Sequence, residues 1–150
     1  MSSNTLLAPL YKSILRYTSE TLEAINATPG LPAVLYHDWE SRGDEDKLPR
    51  STLIGVEAFG FRENQGLWEI RFGLGVSSYR DANLLQEIEL LDFLQTRFGE
   101  GCKVPLYEVR GAAAEQVSEL VSVDFQTLPM SQSTYRNYRE IGIELKRTGT

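Results

Sequence analysis

Cysteine, histidine and long apolar runs are all scarce in this chain of 150 residues, which holds one cysteine, Cys102, and one histidine, His37. A lone cysteine cannot close a disulfide within the chain and fits a reducing compartment. Its position reads as a small, half-buried residue at a strand entrance. Nitrogen- or sulfur-ligated metals need several such ligands, so no metal site is expected. A Ser-His-Asp or Cys-His arrangement would have to use His37. Cys102 lies on an unrelated element, and Asp38, next to His37 in an extended segment, points to the opposite face. Apolar runs of only a few residues exclude a membrane-spanning helix, and the opening MSSNT lacks the basic and apolar segments of a signal peptide.

Positive charge is also short. Lys and Arg number 15 against 21 Asp and Glu, a net charge of −6, which argues against wrapping a nucleic acid by neutralising its phosphates. Neither GxxxxGK[ST] nor GxGxxG occurs, and Gly55, Gly60, Gly73 and Gly75 fall inside apolar alternation rather than in a strand-to-helix turn. Asp44-Glu45-Asp46 lacks the alternate ligand spacing and central glycine of a calcium loop. Glu87, Glu89 and Asp92 read as the solvated face of a helix, since paired carboxylates doing acid–base work would need burial. The residues imply neither an enzyme nor a bound cofactor.

What is present is architecture. Leu67–Val76 (LWEIRFGLGV) alternates strictly, with Trp68, Ile70, Phe72, Leu74 and Val76 on one face and Glu69, Arg71, Gly73 and Gly75 on the other, as a strand with one apolar face requires. Before it, Leu53–Arg62 reads as a strand joined to it through a polar Arg62–Gly66 hairpin connection. After it, a turn over Ser77–Asn83 leads to a helix from about Leu84 to Phe98. That helix has Asn83 and Gln86 as a capping box, Gly99 and Gly101 as a stop, and Leu84, Leu85, Ile88, Leu91, Leu94 and Phe98 as its apolar stripe.

The N-terminal part, Thr5–Ala27, repeats apolar residues at helical spacing, is capped by Asn4 or Thr5 and stops at Thr28-Pro29-Gly30. Leu31–Trp39 reads as a short strand, and Glu40–Thr52 as a solvated charged loop. Three strands complete the chain: Lys103–Arg110, weakened by Pro105; Val117–Thr127, with Val117, Val121, Val123 and Phe125 on one face; and Tyr135–Lys146. Small-residue and polar connections lie at Gly111–Gln116 and Leu128–Thr134. The order α-β-β-β-α-β-β-β implies one α+β domain over residues 1–150, a mostly antiparallel sheet with two helices packed on one face.

Three features point to partners. Tyr135, Arg136, Tyr138 and Arg139 gather the residue types enriched at interface centres, and equally suit an edge strand whose tyrosines cover the core rim. Gly73 and Gly75 leave the outer strand face bare, so that a neighbouring backbone or subunit can approach. The charged loop supplies Arg42, Asp44, Glu45, Asp46, Lys47 and Arg50 as contact candidates.

The run GLWEIRFGLGVSSYRDANLLQEIELLDFLQTRFGEGCKVPLYEV, together with SQSTYRNYREIGIELKR, resembles the tail terminator (tail completion) proteins of long-tailed bacteriophages. The likeness lies in the arrangement of an N-terminal helix, a charged loop before a hairpin, a Trp-led strand, a leucine-rich helix and a final YR…I.I strand. It covers most of the chain.

The resemblance implies a non-enzymatic virion protein at the head-proximal end of the tail, assembled in the host cytoplasm. It would be a ring, usually a hexamer of itself, that caps the tail tube and meets the neck or head-completion protein, and the sheath where there is one. An acidic lumen would let DNA pass without specific binding. Two other readings stand beside it: another neck or baseplate-proximal component, and a small enzyme or ligand-binding domain with a pocket around His37, Trp39 and the glycine-bare strand face.

Overall fold

The computed structural model describes residues 7–39, 51–110, 113–132 and 136–148. Its elements are α1 (Leu7–Asn26), β1 (Val34–Tyr36), β2 (Thr52–Asn64), β3 (Leu67–Tyr79), α2 (Leu84–Phe98), β4 (Lys103–Arg110), β5 (Ala113–Thr127), β6 (Ser131–Gln132) and β7 (Arg136–Thr148). The fold is α+β. One curled sheet runs in the order β1-β2-β3-β7-β5-β4, with β6 added against β7. The alternating strand at Leu67 sits at its centre, pairing β2 on one side and, without a break from Leu67↔Thr148 to Tyr79↔Arg136, β7 on the other.

The apolar face of β3 is buried as its alternation requires, and Ile141, Ile143 and Leu145 of β7 stand opposite its Leu74, Phe72 and Ile70. Leu10, Ile14, Tyr17 and Ile25 of α1 and Leu90, Leu94 and Phe98 of α2 close the same core. Tyr17 and Phe98 meet edge to face at 5.2 Å, and the Tyr17 hydroxyl donates to the carbonyl of Arg97 at 2.6 Å, which ties the two helices together.

Several boundaries differ from those read in the sequence. The strand expected over Leu31–Trp39 keeps only Val34–Tyr36 and runs parallel to β2. The hairpin turn is just Gln65-Gly66, both with positive φ (52° and 79°), as a two-residue turn matching the strand twist demands. β3 continues through Ser77 and Ser78 to Tyr79, because β7 offers backbone partners along that whole length. The segment expected to be a loop up to Gln116 instead opens β5, which pairs with β4 from Ala113 on.

β5 also departs from its expected inner face. Leu120 and Ser122 are buried while Val121 is exposed. The cause is a pair of register shifts, one at Val117 against β4 and one at Val123 against β7. Each inserts a residue, reverses the alternation and bends the strand, so that Val117 and Phe125 pack inward on either side of the reversed stretch. A third irregularity, at Ala58 (φ 53°), bends β2.

α1 then ties together the two edges of this curled sheet. The amide of Asn26 accepts from the Val34 N–H (2.8 Å) and donates to its carbonyl (3.0 Å), in the manner of a neighbouring strand. Seen from the other edge, Ser13 Oγ accepts from the Tyr107 N–H at 2.9 Å. Backbone groups at both exposed edges are thus satisfied by side chains of one helix, which blunts edge pairing at those points.

Candidate functional site

Gly55, Gly73 and Gly75 line the outer face of β2 and β3, opposite the core, with Gly142 of β7 across from Gly73. That face is not bare. Just after β1 the chain turns Trp39 onto it, and the indole N–H donates to the carbonyl of Gly55 at 3.2 Å. A Cβ on Gly75 would lie 2.7 Å from the indole, and a Cβ on Gly55 would strike the carbonyl of His37. A Cβ on Gly73 would strike the side chain of Glu140. The expected close approach is real, but the group that approaches belongs to the same chain. Gly73 and Gly75 are buried in the monomer, and this removes them as subunit-contact positions.

Trp39 makes T-shaped contacts with His37 at 4.7 Å and with Tyr138 at 5.2 Å, and the Tyr138 hydroxyl donates to Glu57. His37 is buried, its backbone N–H donates to the carbonyl of Ile54 at 3.0 Å, and its imidazole Nε2 has no hydrogen-bond partner. Trp39 itself fills the space over Gly55 and Gly75 where a ligand pocket was expected, and a hollow beside it is lined by Tyr11, Asp38, Trp39, Val56, Glu57 and Phe59. What stands there is a second, aromatic and polar core on the outer side of the sheet.

Arg136 is a correction of the same kind. Expected on an interface, it is 3% exposed. Its guanidinium donates to Ser77 Oγ (2.8 Å), the Ser77 carbonyl (3.0 Å) and the Ser51 carbonyl (2.8 Å), fixing β7, β3 and the start of β2 to one another. An arginine can be buried when its planar donors are matched in this way. Arg139, half-buried, donates to the Leu128 carbonyl at 3.3 Å and holds the segment that follows β5. Tyr138 is half-buried beneath Trp39. Arg42, Asp44, Glu45, Asp46, Lys47, Arg50 and Tyr135 lie outside the described residues.

Two ion pairs also lie on the outer face. Arg62 binds Glu69, holding its carboxyl below the ordinary value, and Arg71 binds Glu144 at 2.7 Å, which raises the guanidinium further. Among the described residues no group of three or more His, Cys, Asp or Glu is arranged to hold a metal ion. Cys102 donates its thiol to the Thr96 carbonyl at 3.3 Å.

Sequence reasoning placed Leu84, Leu85 and Ile88 in the core stripe of the second helix. They are 63%, 66% and 43% exposed, and the buried side of α2 is Leu90, Leu94 and Phe98. The physical reason is placement. α2 packs through its C-terminal half against α1 and β5, where Ser122 Oγ donates to the Phe98 carbonyl at 2.6 Å, and its first turns stand over the end of β3 and the start of β7, beside Met130. In the crevice beneath them, Glu87 Oε1 and Asn137 Oδ1 are buried without a hydrogen-bond partner. On α1, Leu7 and Tyr11 are likewise partly exposed, Tyr11 leaning on Phe59 of β2 at 5.2 Å. The only sequence signal for this was width: the stripe of α2 spans more of the helix than one packing partner covers.

The chain matches no protein-family model, and no curated protein is significantly similar to it.

Proposed function

We propose that this chain is a structural virion protein, a tail terminator that forms a ring on the end of the phage tail tube and joins it to the head or neck. The observation that carries the reading is a division of labour in the fold. Groups suited to chemistry or ligand contact, His37, Trp39 and Arg136, are used up in holding the monomer together. Large apolar side chains on both helices, meanwhile, are left facing solvent. Contiguous exposed apolar surface marks a protein that works by docking.

The sequence resemblance to tail terminators supplies the identity of the assembly. Its partners would be further copies of the chain, most simply six, together with the tail tube protein, the neck protein and, in contractile tails, the sheath. DNA would pass through the lumen without being gripped, as the acidic balance favours. The test is a particle made without this protein. Electron microscopy should show tails of uncontrolled length or tails that fail to join heads. Tails of normal length on filled heads would refute the reading. Labelled protein found at the distal end instead would make it a baseplate component.

A further inference from the structure

We infer that the hollow at the open edge of β2 binds a guanidinium group, the head of an arginine side chain presented by another polypeptide. The inference is independent of the ring reading above.

The hollow measures about 490 Å³. Tyr11 of α1, Trp39, and Glu57 and Phe59 of β2 border it, with Asp38 at its exposed rim. It lies where β2 loses its neighbour. β1 ends opposite Ile54, and among the described residues no strand pairs with that side of β2 beyond it.

A bulge shapes the opening. Glu57 and Phe59, two residues apart, would share one face of a regular strand. The extra residue, Ala58, with its left-handed φ of 53°, breaks the alternation. Glu57 therefore stays on the outer face, opposite Gly73, while Phe59 turns in against the core, and both border the same hollow. An alanine seldom adopts that φ, and backbone strain of this kind gathers at functional sites.

Chemistry selects the ligand. Three aromatic rings and two carboxylates border the hollow, and among the described residues no lysine or arginine does. Ring faces attract a cation that carboxylates also hold. Tyr11 and Phe59 meet at 69°, so they form adjoining walls rather than a stack. Other walls are fixed in advance: the Trp39 indole N–H is anchored on the Gly55 carbonyl, and Glu57 accepts from the Tyr138 hydroxyl. An ionised carboxylate has about four acceptor sites, so existing contacts leave it able to take further donors.

A divalent metal fits poorly, since no group of three or more His, Cys, Asp or Glu stands together among the described residues. Among organic cations, guanidinium fits best. It is planar, weakly hydrated, stacks on rings and directs donors several ways, whereas an ammonium is a compact, strongly hydrated point charge. The volume exceeds what the head alone fills, which leaves space for the aliphatic stem. An opening along a strand edge suits a chain running past it.

The test titrates the full chain with a blocked glycyl-arginyl-glycine peptide and follows the two indole N–H signals by NMR. The Trp39 signal should shift with a dissociation constant of about 1 mM. The Trp68 signal should stay still, since that indole donates to Glu63, away from the hollow. The citrulline counterpart, equal in shape but uncharged, should not bind. Glu57→Gln keeps an acceptor for Tyr138, removes the charge and should weaken binding roughly 10-fold, and Asp38→Asn at the rim roughly 3-fold. Circular dichroism checks folding. If Glu57→Gln does not fold, Asp38→Asn combined with Tyr11→Leu, both at exposed side chains, should give the roughly 10-fold loss instead.

A Trp39 signal unmoved at peptide concentrations roughly 20-fold above that constant would overturn the site. So would equal binding of the citrulline peptide, or full affinity in the variants. Propylguanidinium that binds where the peptide does not would overturn the arginine occupant and leave a site for a free cation. None of these outcomes bears on the ring reading, which fails through particles whose tails are normal without the protein.

Discussion

The outer face of the sheet around Gly75 and the first turns of α2 exchange the roles that their residues suggest. The glycine face looks open, because alternate positions carry no side chain, yet Trp39 lies across it and Arg136 is buried beside it. The leucine-rich start of α2 looks like core, yet Leu84 and Leu85 are among the most exposed apolar residues described. Side-chain size states what a position can accept. Whether anything is placed there depends on where the chain returns. Trp39 returns to the glycines because β1 ends one sheet edge just before it, while nothing described in the monomer returns to Leu84.

The largest expected effect breaks the outer side of this contrast. Gly75→Val forces two methyl groups against the Trp39 indole and should lower stability by about 3 kcal/mol in urea denaturation, the upper range for overpacking. Were Gly75 a subunit contact instead, the monomer would lose little. Next, Leu94→Ala against Leu85→Ala compares the two halves of one helix. The first empties a fully buried site and should cost about 3 kcal/mol, the second less than about 0.5 kcal/mol. Equal losses would mean that the start of α2 is buried after all.

Arg136→Ala removes a buried guanidinium from three acceptors and should cost about 2 kcal/mol by the same measurement. A residue serving an interface would show no such loss in the monomer.

The smallest effect sharpens the inner side. Burial pushes the phenol of Tyr17 above its ordinary value of 10.0, with Arg97 drawing it partly back, and burial raises Tyr36 as well. Both raise the folded-state value, so their contribution is complete below pH 10.0 and is lost as pH climbs through the folded values. Tyr17→Phe should cost about 1 kcal/mol at neutral pH through the lost hydrogen bond to Arg97. It should also flatten the alkaline decline in unfolding free energy. An unchanged alkaline decline would remove Tyr17 as its source.

Much of the fold was legible where pattern and burial coincide. The strand at Leu67, the Asn83 cap that accepts from the Gln86 N–H at 3.1 Å, and the span Leu84–Phe98 all follow from local rules. Strand ends were less legible, because Ser77 and Ser78 join β3 through partners on β7, about sixty residues away, with Leu53 of β2 also opposite Ser77. The face of β5 was illegible for a related reason: its bulges at Val117 and Val123 answer to two different neighbouring strands. The candidate contacts fared worst. Arg136 has the composition of an interface residue and the surroundings of a core one.

By itself, the sequence determined the element types, their order and the inward face of the central strand, since each depends on periodicities of two or 3.6 residues within one segment. Tertiary structure alone decided the parallel pairing of β1, the closing of both sheet edges by Ser13 and Asn26, the covering of Gly75 by Trp39, and the exposure of Leu84, Leu85 and Ile88. Those features depend on which distant segments arrive at the same place. Burial is a property of that meeting and not of the residue.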